Sequence, residues 1–171
     1  MDESQFWTII DQSRKQATAP EKQHEALAEI LQTLTADEIA GFAKHWYTKH
    51  GLAYRWDLWA VAYIIHGGCS DDAFMDFRAW LIGRGKAVYE SALADPNSVG
   101  HHVAIGEEEL ICYEELNYVA SDAYKKKTGE ALPDNSTLGI PPEPSDPIGK
   151  DWDEDELPDL YPELCKKFSH Q

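Results

Sequence analysis

The sequence predicts an all-α fold, a single helical domain of about seven helices with a Pro-rich acidic C-terminal arm docked on it. Three observations carry that reading. Apolar residues recur at i, i+3, i+4 and i+7 through residues 1–129, the spacing of one buried helix face. Alternation of apolar and polar residues never persists, and the Asn-Gly and Asp-Gly pairs of tight hairpins are absent. From residue 130 the composition changes: most of the nine prolines fall there, with eleven of the thirty-one acids and three of the fifteen bases.

The elements follow in order. Ser4 is placed to cap a first helix whose inner stripe is Phe6, Ile9 and Ile10, with Trp7 at its edge. Pro20 suits the first turn of a second helix, where its missing N–H costs nothing, and Leu27, Ile30, Leu31 and Leu34 give that helix its apolar side. Thr35-Ala36-Asp37-Glu38 is a capping-box pattern, continued by Ile39, Phe42, Ala43 and Trp46 as a third helix. Gly51 marks the break that follows.

Residues 54–82 form the centre. Leu58 to Ile65 are apolar on every side of a helical projection, so that helix is expected to be surrounded by protein. Gly67-Gly68 ends it, since glycine takes the left-handed conformation without steric cost. Ser70 caps the next helix, with Asp71 and Asp72 in its first turn, and Phe74, Phe77, Arg78 and Leu81 form its buried face. That helix gives way near Gly83-Arg84-Gly85. A short helix through Ala87, Val88, Ala92 and Leu93 ends at Asp95-Pro96-Asn97, because the residue before proline resists helical geometry. Residues 98–106 read as a loop. A long amphipathic helix over 107–127 carries the stripe Tyr113, Leu116, Val119, Ala120, Ala123 and Tyr124, with Gly129 just beyond its end.

The arm, 130–171, is too proline-rich for long helices. Six acids crowd residues 151–159, yet Trp152, Leu157, Leu160, Tyr161, Leu164 and Phe168 interrupt them regularly. Such side chains favour an ordered arm over a solvated tail, because docking them removes apolar area from water at about 25 cal/mol per Å².

Charge narrows the function. The formal net charge is −16 and the only basic run is Lys125-Lys126-Lys127, so binding to nucleic acid or an anionic membrane is not expected. Three scattered cysteines, Cys69, Cys112 and Cys165, make no disulfide framework and suit reduced thiols in the cytoplasm. The amino terminus lacks a basic, apolar leader, and no apolar stretch approaches the roughly 20 residues that span a bilayer.

Several blocks also resemble a bacterial family catalogued as domain of unknown function 4240. They are Phe6-Trp7, Trp56-Asp57-Leu58-Trp59-Ala60, Gly67-Gly68-Cys69-Ser70-Asp71-Asp72, Phe77-Arg78-Ala79-Trp80-Leu81-Ile82, Lys127-Thr128-Gly129 and Trp152-Asp153-Glu154-Asp155-Glu156-Leu157-Pro158. The resemblance spans nearly the whole chain and implies a bacterial, single-domain, cytosolic protein; it assigns no residue a catalytic role.

The residues most in need of explanation are charges among large apolar neighbours: Arg55, Asp57 and Arg78. A buried arginine needs a partner, and Asp57, Asp71 and Asp72 are the expected acceptors. The other use of Arg78 is to bind an anionic ligand or partner carboxylate. The candidate binding residues are Arg55, Asp57, Trp59, His66, Asp71, Asp72, Arg78 and Trp80, with Asp153, Glu154, Asp155 and Glu156 as an acidic partner surface. His66 and Cys69 flank the Gly-Gly turn, but no second pair completes a zinc set, and no metal or other cofactor is expected. No Gly-x-Ser-x-Gly, P-loop or His-Glu-x-x-His motif is present, so no catalytic residue is named. The leading expectation is a binding module whose acidic surface recognises a basic protein partner, in an immunity-like or adaptor role. The alternative is an enzyme or small-ligand sensor with a polar pocket around Arg55, Asp57, His66 and Arg78.

Overall fold

A computed structural model describes residues 1–169. The body holds α1 (Glu3–Gln16), α2 (Gln23–Gln32), α3 (Ala36–Leu52), α4 (Trp56–His66), α5 (Asp71–Gly83), α6 (Lys86–Ala94) and α7 (Val119–Thr128). The arm adds two short helices, α8 (Leu157–Leu160) and α9 (Pro162–Lys167). The fold is therefore all-α, and the one β-type pairing among the described residues is an isolated parallel bridge between Arg55 and Ile148.

Local chemistry sets most helix ends where the pattern places them. Thr35 and Glu38 close a reciprocal capping box on α3, and the Ser70 hydroxyl accepts from the Ala73 N–H at 3.2 Å on α5. Gly67, at φ +75°, closes α4 in the left-handed conformation. The first helix differs: Asp2, not Ser4, is its cap. Its carboxylate accepts from the Gln5 N–H while the Gln5 side chain accepts from the Asp2 N–H, two bonds that a serine two positions later cannot make.

The core is continuous from α1 through α7. Leu58, Val61 and Ile65 of α4 and Phe77 and Leu81 of α5 are fully buried in it. Aromatic rings join the two helices. Trp56, Trp59, Phe74, Phe77 and Trp80 stack in succession, with centroids 5.4, 4.8, 6.0 and 5.8 Å apart.

The helix expected over 107–127 is broken. Glu108–Ile111 and Glu114–Asn117 are single 3-10 turns, and α-helix begins only at Val119. The break has a cause on α5. The Tyr113 N–H donates to the Asp76 carbonyl, and the Asn117 amide donates to the Asp76 carboxylate at 2.9 Å. The Tyr113 backbone donor is thus spent between elements rather than along one helix, and the Asn117 side chain holds the second turn against α5. The buried stripe survives, since Tyr113, Leu116, Val119, Ala120 and Ala123 all lie in the core. The segment expected as a loop begins with a 3-10 stretch, Pro96–His102, started by the Asp95 carboxylate accepting from the Asn97 N–H.

The arm lies along the body in three places. Ile140 is buried, and Glu143 reaches Arg78. Ile148 exchanges backbone hydrogen bonds with Tyr54 and Trp56, and the Trp152 indole donates to the Trp56 carbonyl at 2.8 Å while packing edge-on to Tyr63. Finally Leu157, Leu164 and Phe168 enter the core. Gly100 makes that last contact feasible, because a Cβ there would lie 2.3 Å from Leu164 Cδ2. The Lys167 ammonium donates to the carbonyls of Gly100 and Val103 at 2.6 and 2.8 Å.

Candidate functional site

The charged residues singled out by the sequence are engaged with protein partners. Arg55 forms a two-pronged pair with Asp57, at 2.9 and 2.5 Å, and its remaining nitrogen donates to the Leu93 carbonyl. Asp57 also accepts from the Leu58 N–H in the first turn of α4. Arg78 is closed by Glu143 of the arm rather than by Asp57, Asp71 or Asp72. Its Nη1 also donates to the His50 carbonyl, and its plane lies over Tyr54 and Phe74 at 4.6 and 5.2 Å. Asp57 is committed to Arg55, and Asp71 and Asp72, exposed in the first turn of α5, stand beside Arg78 without forming an ion pair with it.

Around Arg78 the shallow cleft includes Tyr54, Asp71, Asp72, Met75, Glu143 and Pro144, but not Arg55, Asp57 or His66. His66 ends the eleven-residue helix that Trp56 begins, so it lies about 14 Å along the axis from Asp57 at 1.5 Å per residue. Its Nδ1 donates to the Gly68 carbonyl, and its Nε2 meets Glu109 at 3.3 Å. Trp59 and Trp80 belong to the aromatic stack, and the Trp59 indole donates to the Cys69 carbonyl. Burial pushes the Cys69 thiol up to about 12 and the Cys112 thiol up to about 11, so neither is a thiolate at neutral pH. Among the described residues no group of three or more His, Cys, Asp or Glu side chains is arranged to hold a metal ion.

The acidic run of the arm is partly structural. Asp153 and Glu156 form a capping box, and Glu154 accepts from the Tyr63 hydroxyl. Asp155 is exposed. A different acidic surface emerges between α2 and α7, a groove of about 620 Å³. Ala28, Val119 and Ala123 form its floor, Tyr118 stands exposed beside it, and Glu25, Glu29, Glu115 and Asp122 surround it together with one base, Lys126; Glu25 is paired with Lys22 at 2.6 Å. The surrounding charge extends onto α5. Asp76 feels Glu114, Asp72 and Glu115, and Tyr118 feels Glu114, Asp76 and Asp72. Burial first, then those neighbouring carboxylates, push Asp76 up to about 6.

Sequence spacing did not single out this groove. Its acids come from α2, the 3-10 turns and α7, which reading 107–127 as one helix did not bring together. The available signal was Tyr118, a large ring among acids just outside the buried stripe.

The family model described as "Protein of unknown function (DUF4240)" matches residues 1–126. That span contains the groove and stops short of the closing block at 152–158, which carried part of the sequence resemblance. No curated protein and no solved structure matches the chain.

Proposed function

From the premise that this chain belongs to the DUF4240 family of proteins of unknown function, we propose that it is a non-enzymatic binding module for a basic protein partner. The α2–α7 groove is the contact surface. An apolar floor edged by four carboxylates against one lysine, Lys126, suits a segment presenting an apolar side chain flanked by lysines or arginines, and Tyr118 offers a face for a cation. That single arrangement carries the reading. Charge of one sign speeds encounter with the opposite sign, while the floor supplies contact area that screening by salt does not remove. The expected setting is the bacterial cytoplasm, in an immunity-like or adaptor role. Among the described residues no helix is long and apolar enough to cross a membrane.

A designed lysine-rich amphipathic peptide tests this. It should bind with salt-dependent affinity, shift the amide resonances of Tyr118 and Ala123, and lose at least about tenfold in affinity in the double variant Glu29→Lys, Asp122→Lys. The same reversal in the arm, Asp153→Lys with Asp155→Lys, should change affinity less. Equal losses from the two pairs would refute a specific groove and leave only attraction to overall charge.

A further inference from the structure

Gly83-Arg84-Gly85 ends α5, and both glycines make room. A Cβ at Gly83 would lie 2.8 Å from Leu116 Cδ1; at Gly85, with φ +93°, it would lie 2.7 Å from the Arg14 guanidinium. Close packing therefore brings α1 against this turn. Arg14 donates to the carbonyl of Arg84 at 2.6 Å, and its pair with Asp11 is longer, at 3.3 Å. Gln23 locks the same corner by donating to Ser13 Oγ and the Gly83 carbonyl at 3.0 and 2.9 Å.

Arg84 shares with Arg78 a buried Nε that has no hydrogen-bond partner, but unlike Arg55 and Arg78 it enters none of the ion pairs among the described residues. Its guanidinium lies 5.9 Å over Trp80. Clefts open on both sides of it. One, about 480 Å³, also holds Arg14, Lys15 and Thr18; the other, about 440 Å³, is walled by Trp80, Ile111 and Tyr113. Three of the chain's fifteen bases thus converge on one corner of a protein of net charge −16, with Asp11 as the acid bonded there. Burial and then the nearby Arg14 disfavour the charge on Arg84, Glu107 offsets part of this, and a bound anion would relieve the remainder.

We propose that Arg84, with Arg14 and Lys15, holds the phosphate or carboxylate of a small molecule whose apolar body enters the cleft walled by Trp80 and Tyr113. Two cavities of this size and mixed lining fit a small ligand. The planar guanidinium, fixed over an indole, is preorganised for two-pronged contact with an oxyanion. Exposed Glu21, Glu107, Glu109 and Glu115 line the outer side of the aromatic cleft, and they repel nucleic acid and polyphosphates while leaving room for a single anionic group. This site shares Glu115 with the edge of the α2–α7 groove, but its basic corner of Arg14, Lys15 and Arg84 belongs to neither wall of that groove, and the proposal does not rest on the groove's function.

Calorimetric titration of the full chain with phenyl phosphate, benzoate, inorganic phosphate and benzamidine tests the proposal. Phenyl phosphate or benzoate should bind saturably at one site, at least about tenfold tighter than inorganic phosphate, and whichever is tighter identifies the head group. Benzamidine should not bind. Arg84→Gln should weaken binding at least about tenfold, and Lys125→Gln, remote from the cleft, should not change it. Should Arg84→Gln fail to fold, Arg14→Gln serves instead and should weaken binding in the same direction. No saturable binding by either aromatic anion at about 10 mM, about 2.7 kcal/mol of affinity, overturns the proposal. So does affinity equal to that of inorganic phosphate (an adventitious ion only), or binding that both arginine variants leave intact.

Discussion

The guanidinium of Arg78, buried on α5, is closed by the carboxylate of Glu143, sixty-five residues further along the chain and set between prolines. Arg78 is 6% exposed, and the Glu143 side chain remains half in solvent. The pair therefore fastens the arm to the body and supplies the counter-charge of a buried guanidinium whose Nε stays without a partner.

Removing the partner should be felt, but less than for a fully buried pair. Glu143→Ala is expected to cost about 1–2 kcal/mol, because water reaches the vacated side of Arg78. Arg78→Ala should cost about 3 kcal/mol or more, since it also empties the space between Tyr54 and Phe74. In urea titrations the double variant should cost less than the sum of the two singles; strict additivity would mean that the carboxylate contributes nothing to the pair.

The second attachment is Trp152. Trp152→Phe removes the hydrogen bond to the Trp56 carbonyl and should cost about 1 kcal/mol. Trp152→Ala also uncovers Trp56 and Tyr63 and should cost about 2–3 kcal/mol. Limited proteolysis within 130–150 should accelerate in the alanine variant; an unchanged cleavage rate would place the hold on the arm elsewhere.

The third attachment has a steric test. Gly100→Ala sets a methyl against Leu164 and should cost about 1–3 kcal/mol by overpacking. Adding Leu164→Ala to it should restore part of that loss, although Leu164→Ala alone is destabilising. Thermal melts of the four proteins distinguish this sign reversal from simple summation.

Two groups, the buried His50 and the half-buried Asp76, should oppose each other in acid. Burial, and after it the charge of Arg78, depress His50 from 6.5 to about 3, and its Nε2 donates to the Met75 carbonyl. The unfolded chain binds this proton more readily, so the contribution is present above pH 6.5 and is lost as pH falls toward 3. Asp76 is raised from 3.8 to about 6, so the folded chain binds its proton more readily and stability from it rises as pH falls from 6 toward 3.8. Asp76→Asn keeps an acceptor for Asn117 and should stabilise the protein at pH 7 while steepening its loss of stability between pH 6 and 4. A flatter profile in that variant would contradict the assignment.

How much of this was legible depends on the range of the interaction. Helix stops and caps are decided within a few residues, so Thr35 with Glu38, Gly67 and Ser70 could be read directly. The burial of Arg78 was also visible, from its place in the Phe74, Phe77 and Leu81 face. Its partner was not. Glu143 lies in a segment whose path depends on where Ile140 and Ile148 dock, and no periodicity encodes that. The break in 107–127 was hidden for the same reason, because Asp76, which captures the Tyr113 N–H and the Asn117 amide, lies on another helix. The α2–α7 groove depends in turn on that break, since the 3-10 turns bring Glu115 and Tyr118 beside Glu25 and Glu29.

The five-ring stack has an optical side. Trp56 and Trp59 are held nearly parallel, 13° apart, and Trp152 meets Trp56 almost at right angles. Chromophores so close and so fixed share their excitation, so the folded chain should display a split ultraviolet dichroism band that free indoles lack. Lifting the arm would alter that band's shape while leaving helix content in place, giving the protein its own built-in gauge of closure.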